Sequence, residues 1–217
     1  MTDADRFDVI VVGGGHNGMV CSAYLAGSGL RVCVLERRPI LGGAAVTETF
    51  HPGFRNSSAS YTVGLLSPKV LRDLHLADHG LRIAERPLAN FLPLGDEGHL
   101  QVGAGLEATQ RAFARHSKRD AQRLPEYYAM LSSVAQVWRR LLHQTPPRLG
   151  GGPSDLMDGI RLRRQLGDVP MTLRRDLLTL LGRSAADLLS AWFESEPVKA
   201  AFGFDAVVGH FASPYEV

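Results

Sequence analysis

The stretch Phe7–Leu35, FDVIVVGGGHNGMVCSAYLAGSGLRVCVL, decides the fold. Phe7 to Val12 is a short apolar run rich in β-branched residues, the profile of a buried parallel strand. Gly13 to Gly18, GGGHNG, follows at once, and the next dozen residues read as a helix ending at a glycine-rich stop. Arg31 to Leu35, RVCVL, is a second buried strand. Strand, glycine-rich turn, helix and strand within about 30 residues make a βαβ unit, whose crossover is right-handed. The expected fold class is therefore α/β, an incomplete Rossmann-type βαβ domain.

Gly13, Gly15 and Gly18 fit the pattern G-x-G-x-x-G at the place where a dinucleotide-binding fold needs it. Gly13 allows the tight turn, Gly15 lets a pyrophosphate approach the backbone, and Gly18 lets helix and strand pack closely. A helix N-terminus there presents free N–H groups and about half a positive charge to phosphates. His16 and Asn17 are expected to contribute backbone rather than ring or amide chemistry. Glu36 ends the second strand, 18 residues beyond Gly18, where a carboxylate accepts both hydroxyls of an adenosine ribose. The same charge repels a 2′-phosphate, although Arg37 and Arg38 keep NADP open. NAD and FAD share this fingerprint, so it does not choose between them. The segment after it, Arg37 to Ala44 with the doublet Gly42-Gly43, adds a second glycine pair six and seven residues past Glu36.

Composition bounds the rest. The chain has 217 residues, 45% apolar and 21% charged, with a formal net charge of +2. Those proportions suit a globular core and exclude collagen, coiled coil and disorder. Two cysteines cannot build a disulfide framework. Cys21 and Cys33 form no C-x-x-C pair, and are expected to be buried thiols without redox chemistry. The eight histidines show no helical ligand pair with an acidic partner, so no metal site is expected. No run of 18 apolar residues lacks polar breaks, and the acidic start MTDADRFDVI resembles neither a signal nor a transit peptide. The expectation is a soluble, cytoplasmic protein, or one of the mitochondrial matrix in a eukaryote.

Two domains are expected, residues 1–80 for the nucleotide and residues 81–217 for a partial substrate or cap domain, strands then helices. After Pro39 an ordered loop with at most short strands leads to a short helix over 68–76. A strand over 81–87 and a hairpin over 91–103, turning at Asp96-Glu97-Gly98, come next. From Leu106 the pattern is helical. Ser117 and Asp120 stand like a capping box, and Pro125 sits where a helix start would place it. Tyr127, Met130, Leu131, Val134, Val137, Trp138, Leu141 and Leu142 give one apolar stripe. Arg148 to Pro153 reads as a connector, and further helices are expected over about 154–166, 172–182, 185–193 and 197–207. Charge is uneven, −2 over residues 1–108, +8 over 109–183 and −4 over 184–217. The arginines of the middle stretch sit at helical spacing between apolar residues. They read as a solvated helix face, with peripheral contact to an anionic membrane as the rival.

The segments 7–61, 113–131 (FARHSKRDAQRLPEYYAML) and 193–216 (FESEPVKAAFGFDAVVGHFASPYE) resemble the phytoene-desaturase-like branch of the FAD-dependent, amine-oxidase-like flavoproteins. The resemblance implies an FAD-dependent oxidoreductase, a dehydrogenase or desaturase that passes hydride from a substrate C–H to flavin N5. It implies FAD contacts at Gly13, Gly15, His16, Asn17, Gly18, Glu36, Arg37, Gly42, Gly43 and Ala44. Ala44 stands where the wider superfamily often has arginine. The loop FRNSSASY, with Ser58, Ser60 and Tyr61, would pass under the flavin; no catalytic residue is nominated, because the chemistry is mostly the cofactor's. The resemblance also implies a C-terminal glycine-rich segment near the flavin, and none precedes Val217, so the chain reads as the N-terminal part of a longer enzyme. The expected partners are a small apolar or amine-like substrate, a membrane touched peripherally, and a second copy in a homo-oligomer; nucleic acid is not expected. An NAD-dependent dehydrogenase and a non-catalytic nucleotide-binding or interaction module remain the alternatives.

Overall fold

The computed structural model describes residues 6–57, 59–60, 62–64, 66–142, 144–146, 152–208 and 211–216. They belong to two compact units, Met1–Glu85 and Arg86–Val217.

In the first unit, β1 (Val9–Val12) and β2 (Val32–Leu35) pair in parallel with Val9 opposite Val32 and Val12 opposite Leu35. Helix α1 (His16–Gly27) connects them, as the βαβ reading requires. Two antiparallel strands follow, β3 (Thr47–His51) and β4 (Phe54–Ser57), then the short α2 (Pro68–Asp73). Ser67 caps α2 through the Lys69 N–H, and the Tyr24 hydroxyl donates to Asp73 at 2.8 Å, tying α1 to α2. Two expectations change here. Among the described residues β1 and β2 pair only with each other, so the strands read as buried are open, with Val12 84% exposed and Ile10 and Leu35 exposed as well. Cys21, expected inside, is on the exposed face of α1, and Cys33 is only partly covered. An apolar run reports that a strand wants cover; it does not report that cover is present. Residues 147–151, which take in the first four residues of the connector expected over 148–153, together with Ser58, Tyr61, His143 and His210, lie outside the described residues.

The second unit opens with the hairpin β5 (Leu88–Pro93) and β6 (His99–Gly103), joined by a 3₁₀ turn at Gly95–Glu97. The expected strand over 81–87 does not form: residues 81–86 have no regular structure, and pairing starts at Leu88 opposite Gly103. The alternation of the hairpin sends Leu100 and Val102 inward. Five helices cover that face and its surroundings: α3 (Leu106–Phe113), α4 (Lys118–Leu141), α6 (Met171–Gly182), α7 (Ala185–Trp192) and α8 (Glu196–Val207), with α5 (Pro153–Gly167) between α4 and α6. Their core is Leu100, Val102, Phe113, Leu124, Tyr127, Leu189, Phe193, Val198 and Ala201. Tyr127, Phe193 and Phe202 lie with ring centres 5.0 to 5.4 Å apart, and Phe113 meets Phe193 edge-on. Burial pushes the Tyr127 hydroxyl up to about 12.

Pro125, expected near a helix start, lies inside α4. A proline there cannot donate to the carbonyl four residues back, that of Ala121. The Gln110 side chain supplies the missing donor, its Nε2 reaching the Ala121 oxygen at 2.9 Å. Ser117 caps α4 through the Asp120 N–H at 3.0 Å, as the spacing predicts, and Ser184 caps α7 in the same way through the Asp187 N–H at 3.1 Å. The fully buried Asp120 carboxylate accepts the Glu194 and Ser195 N–H groups at 3.0 and 2.9 Å. In return Glu194 accepts from the Ser117 hydroxyl at 2.7 Å and from Arg119 at 2.8 Å. Two segments 74 residues apart are thus closed into one reciprocal clamp between the start of α4 and the turn before α8.

Candidate functional site

The turn between β1 and α1 is built from the backbone outward. Gly13 takes φ of +104° and its N–H donates to the Leu35 carbonyl at 2.7 Å, locking the turn to the end of β2. Gly18 sits where any side chain would collide: a Cβ there would lie 2.1 Å from the Gly13 carbonyl oxygen. Gly15 is different. Its backbone is extended, with φ of −73°, and a Cβ would meet nothing closer than Gly43 Cα at 3.7 Å. Neither backbone strain nor packing demands glycine at that position, which leaves open space in front of the first turn of α1. That helix has no side-chain cap and no acidic residue in its first turn.

The second glycine pair folds back onto this turn. Gly42 N–H donates to the Gly14 carbonyl at 2.8 Å, and Gly15 and Gly42 form an isolated parallel bridge. Gly43, at φ of +56°, comes so near that a Cβ would stand 2.8 Å from Gly15 Cα. Ala44 follows in a short 3₁₀ turn with its side chain exposed. Two glycine-bearing segments that are 27 residues apart in sequence therefore meet at one helix N-terminus.

Glu36 closes the arrangement. Its Oε2 accepts the Gly14 N–H at 2.7 Å and its Oε1 accepts the Arg38 N–H at 2.9 Å. Those two backbone donors, Arg38 first and then Gly14, hold the carboxyl below its ordinary value, so it is ionised and fixed at the tip of β2. Arg38 pairs with Glu48 on β3, leaving its charge engaged within the chain. Arg37, His16 and Asn17 are exposed beside the turn.

Of the ten expected cofactor contacts, the structure brings Gly13, Gly15, Gly18, Glu36, Gly42 and Gly43 into one cradle, and places His16, Asn17, Arg37 and Ala44 at its edge. Gly14 was missed. The pattern treats it as a free position, yet its N–H orients Glu36, and a Cβ would strike Leu41 at 2.5 Å. The run of three consecutive glycines was the available signal.

A strand, a glycine cradle on a bare helix start and an oriented carboxylate ending the next strand are the parts of a dinucleotide site. Residues 11–83 match the family described as NAD(P)-binding Rossmann-like domain. The stretch has a Rossmann-like fold.

Beyond that domain, likeness continues along the chain. It is 35% identical to pyridine nucleotide-disulfide oxidoreductase domain-containing protein 2 of Rattus norvegicus over 97% of its own length and 39% of the relative's. The protein of the same name from Mus musculus is 36% identical over the same shares. A limonene dehydrogenase subunit of Castellaniella defragrans is 38% identical over 59% of the chain and 23% of that protein. The chain spans about two fifths of the length of the first of these relatives. Among the described residues no helix is long and apolar enough to cross a membrane. No group of three metal-ligating side chains occurs among them either.

Proposed function

We propose that the Rossmann-like domain holds FAD and that the protein to which this chain corresponds is an FAD-dependent oxidoreductase of the dehydrogenase or desaturase type, acting on a small apolar or amine-like substrate. The observation that carries the reading is the docking of Gly42-Gly43 on Gly14-Gly15. A dinucleotide fingerprint alone needs only the first glycine loop; the second glycine turn places further backbone beside the same helix N-terminus.

The residues present fit the group. Gly15 leaves a space that a Cβ would fill, and α1 offers N–H groups to a pyrophosphate. Glu36, ionised and held by two N–H groups, has lone pairs left for ribose hydroxyls. Its charge disfavours a 2′-phosphate, and Arg38 is occupied by Glu48. When bound, FAD supplies the acceptor, flavin N5, for a hydride leaving a substrate C–H. The part played by these residues is binding and orientation. Of Ser58, Ser60 and Tyr61, the residues expected near the flavin, Ser60 is the described one, and its N–H donates to Ser57 Oγ at 2.9 Å.

The test is the visible absorption spectrum of the chain after incubation with FAD and desalting. A retained flavin band that is lost in Glu36→Lys and in a bulky replacement of Gly15 supports the reading; absence of the band in the wild type, with the domain folded, overturns it for this chain. The family description favours a second reading, an NAD-dependent dehydrogenase. It predicts that NAD, and not FAD, raises the melting temperature, by mass action on the native state.

A further inference from the structure

Arg38 lies between two carboxylates. Its backbone N–H donates to Glu36 Oε1 at 2.9 Å, while its guanidinium pairs with Glu48, ten residues further on in β3. The chain itself fixes that partner in place. Val46, buried, follows the Gly42-Gly43 turn that docks on the first glycine loop. Two residues later Glu48 stands in register with Asn56 of β4. The same fold-back that brings Gly42 to Gly14 therefore delivers a carboxylate to a guanidinium two residues past Glu36.

That arrangement bears on what the adenosine end of a dinucleotide carries. A ribose with a free 2′-hydroxyl donates to a carboxylate placed like Glu36. A 2′-phosphate brings about two negative charges to the same spot and needs a cation, typically an arginine near the end of the strand. The turn after β2 has two, Arg37 and Arg38. Arg37 is exposed and takes part in no ion pair among the described residues. Arg38 is the one whose backbone is bonded to Glu36, and its charge is already matched.

We propose that Glu48 is a specificity-determining residue of the nucleotide site. By holding Arg38 on β3 it favours adenine dinucleotides with a free 2′-hydroxyl, the class that contains FAD and NAD, over 2′-phosphorylated ones. Glu48 acts through Arg38 and touches no ligand, so it is a positioning residue. The inference rests on the nucleotide reading of the glycine cradle, and not on which of the two cofactors fills it. The two side chains are 44% and 40% exposed, so their pairing adds little to folding, and salt weakens it. Its removal therefore shows in the choice of ligand more than in stability.

The experiment is calorimetric titration with ADP-ribose and with 2′-phospho-ADP-ribose. The two differ only at the 2′ position and share the adenosine and pyrophosphate of both cofactors. The wild type is expected to bind ADP-ribose more tightly by about tenfold or more. Glu48→Gln keeps the shape and removes the charge. It should tighten 2′-phospho-ADP-ribose about tenfold and leave ADP-ribose within about twofold. The gain should shrink as salt rises from about 0.1 M to about 0.5 M, and vanish when Arg38→Gln is added. Damage to β3 would instead weaken both ligands alike. Should Glu48→Gln fail to fold, Glu48→Thr, suited to an exposed strand position, takes its place. A wild type that binds both ligands equally overturns the proposal, since Arg37 then suffices for the phosphate. So does an unchanged ratio of affinities in the Glu48 variant, or a gain that survives the loss of Arg38. Absence of ADP-ribose binding while FAD is retained overturns this inference alone; absence of both overturns the nucleotide reading beneath it as well.

Discussion

Gly15 and Gly18 share a loop and a letter, and the structure asks different things of them. Gly18 is glycine for the chain's own sake, since its Cβ would overlap the Gly13 carbonyl at 2.1 Å. Gly15 has ordinary dihedrals and room for a methyl group, so the chain's own fold does not require glycine there. Gly18→Ala is therefore expected to destabilise the first unit by about 1–3 kcal/mol, measured by thermal or denaturant unfolding. Gly15→Ala should leave stability within about 0.5 kcal/mol and weaken dinucleotide binding instead, read by titration with FAD or NAD. Equal losses of stability in the two variants would refute the distinction. The pattern G-x-G-x-x-G identified both positions from spacing alone. It was silent on Gly14, because contact between that residue, Leu41 and Glu36 exists only once β2 lies beside β1.

At the scale of elements, α4 shows how a local rule fails and is repaired from a distance. Proline prefers the first helical turn, and Pro125 instead sits in the helix body, where Gln110 from α3 satisfies the carbonyl it orphans. Gln110→Leu should cost about 1–3 kcal/mol, the penalty of a buried unsatisfied carbonyl. Adding Pro125→Ala should recover much of that loss, since the new alanine would bring its own backbone N–H to the Ala121 carbonyl; a double-mutant cycle measures the coupling. The clamp at Asp120 and Glu194 is a second such case. The Ser117 hydroxyl first, and then Arg119, hold the Glu194 carboxyl below its ordinary 4.5. A depressed carboxyl contributes stability above its unfolded value and loses it as pH falls through the folded one. The difference in melting temperature between wild type and Glu194→Gln should therefore be largest near neutral pH and shrink below pH 4.5. A difference that grows in acid would contradict the clamp. Replacing Asp120 by Ala, which strands the N–H groups of Glu194 and Ser195, should cost more, about 2–4 kcal/mol, by the same unfolding measurement. Arg123 reinforces the same region, donating to the Ala191 and Trp192 carbonyls that end α7 while lying 4.9 Å from the Trp192 ring centre.

For the molecule as a whole, ligand binding is predicted to be a local event. FAD or NAD should slow amide exchange at Gly13 to Gly18 and at Gly42 to Gly43, and raise the stability of the Rossmann-like domain with the logarithm of ligand concentration above Kd. Exchange in the core around Leu100, Phe113 and Phe193 should be unchanged, because those residues belong to a different compact unit. Slowed exchange there, with none at the glycines, would place the nucleotide elsewhere.

The amino-acid sequence by itself determined the elements whose signals are local. The βαβ unit, the serine caps of α4 and α7, the hairpin over 91–103 and the later helices follow from periodicity, capping chemistry and turn residues within a few positions of one another. The first glycine loop and Glu36 were legible for the same reason, and the second glycine pair entered through its spacing from Glu36. Tertiary structure alone decided what those residues touch: that Gly42 binds Gly14, that Gln110 rescues Ala121, and that Asp120 holds the turn before α8. It also decided exposure, leaving Val12 and Cys21 open where an apolar pattern or a small thiol suggested cover. The physical reason is the range of the interaction. Backbone propensity and capping act over three or four residues, whereas burial and long-range hydrogen bonds depend on which distant segments arrive in space, and no local pattern records that arrival.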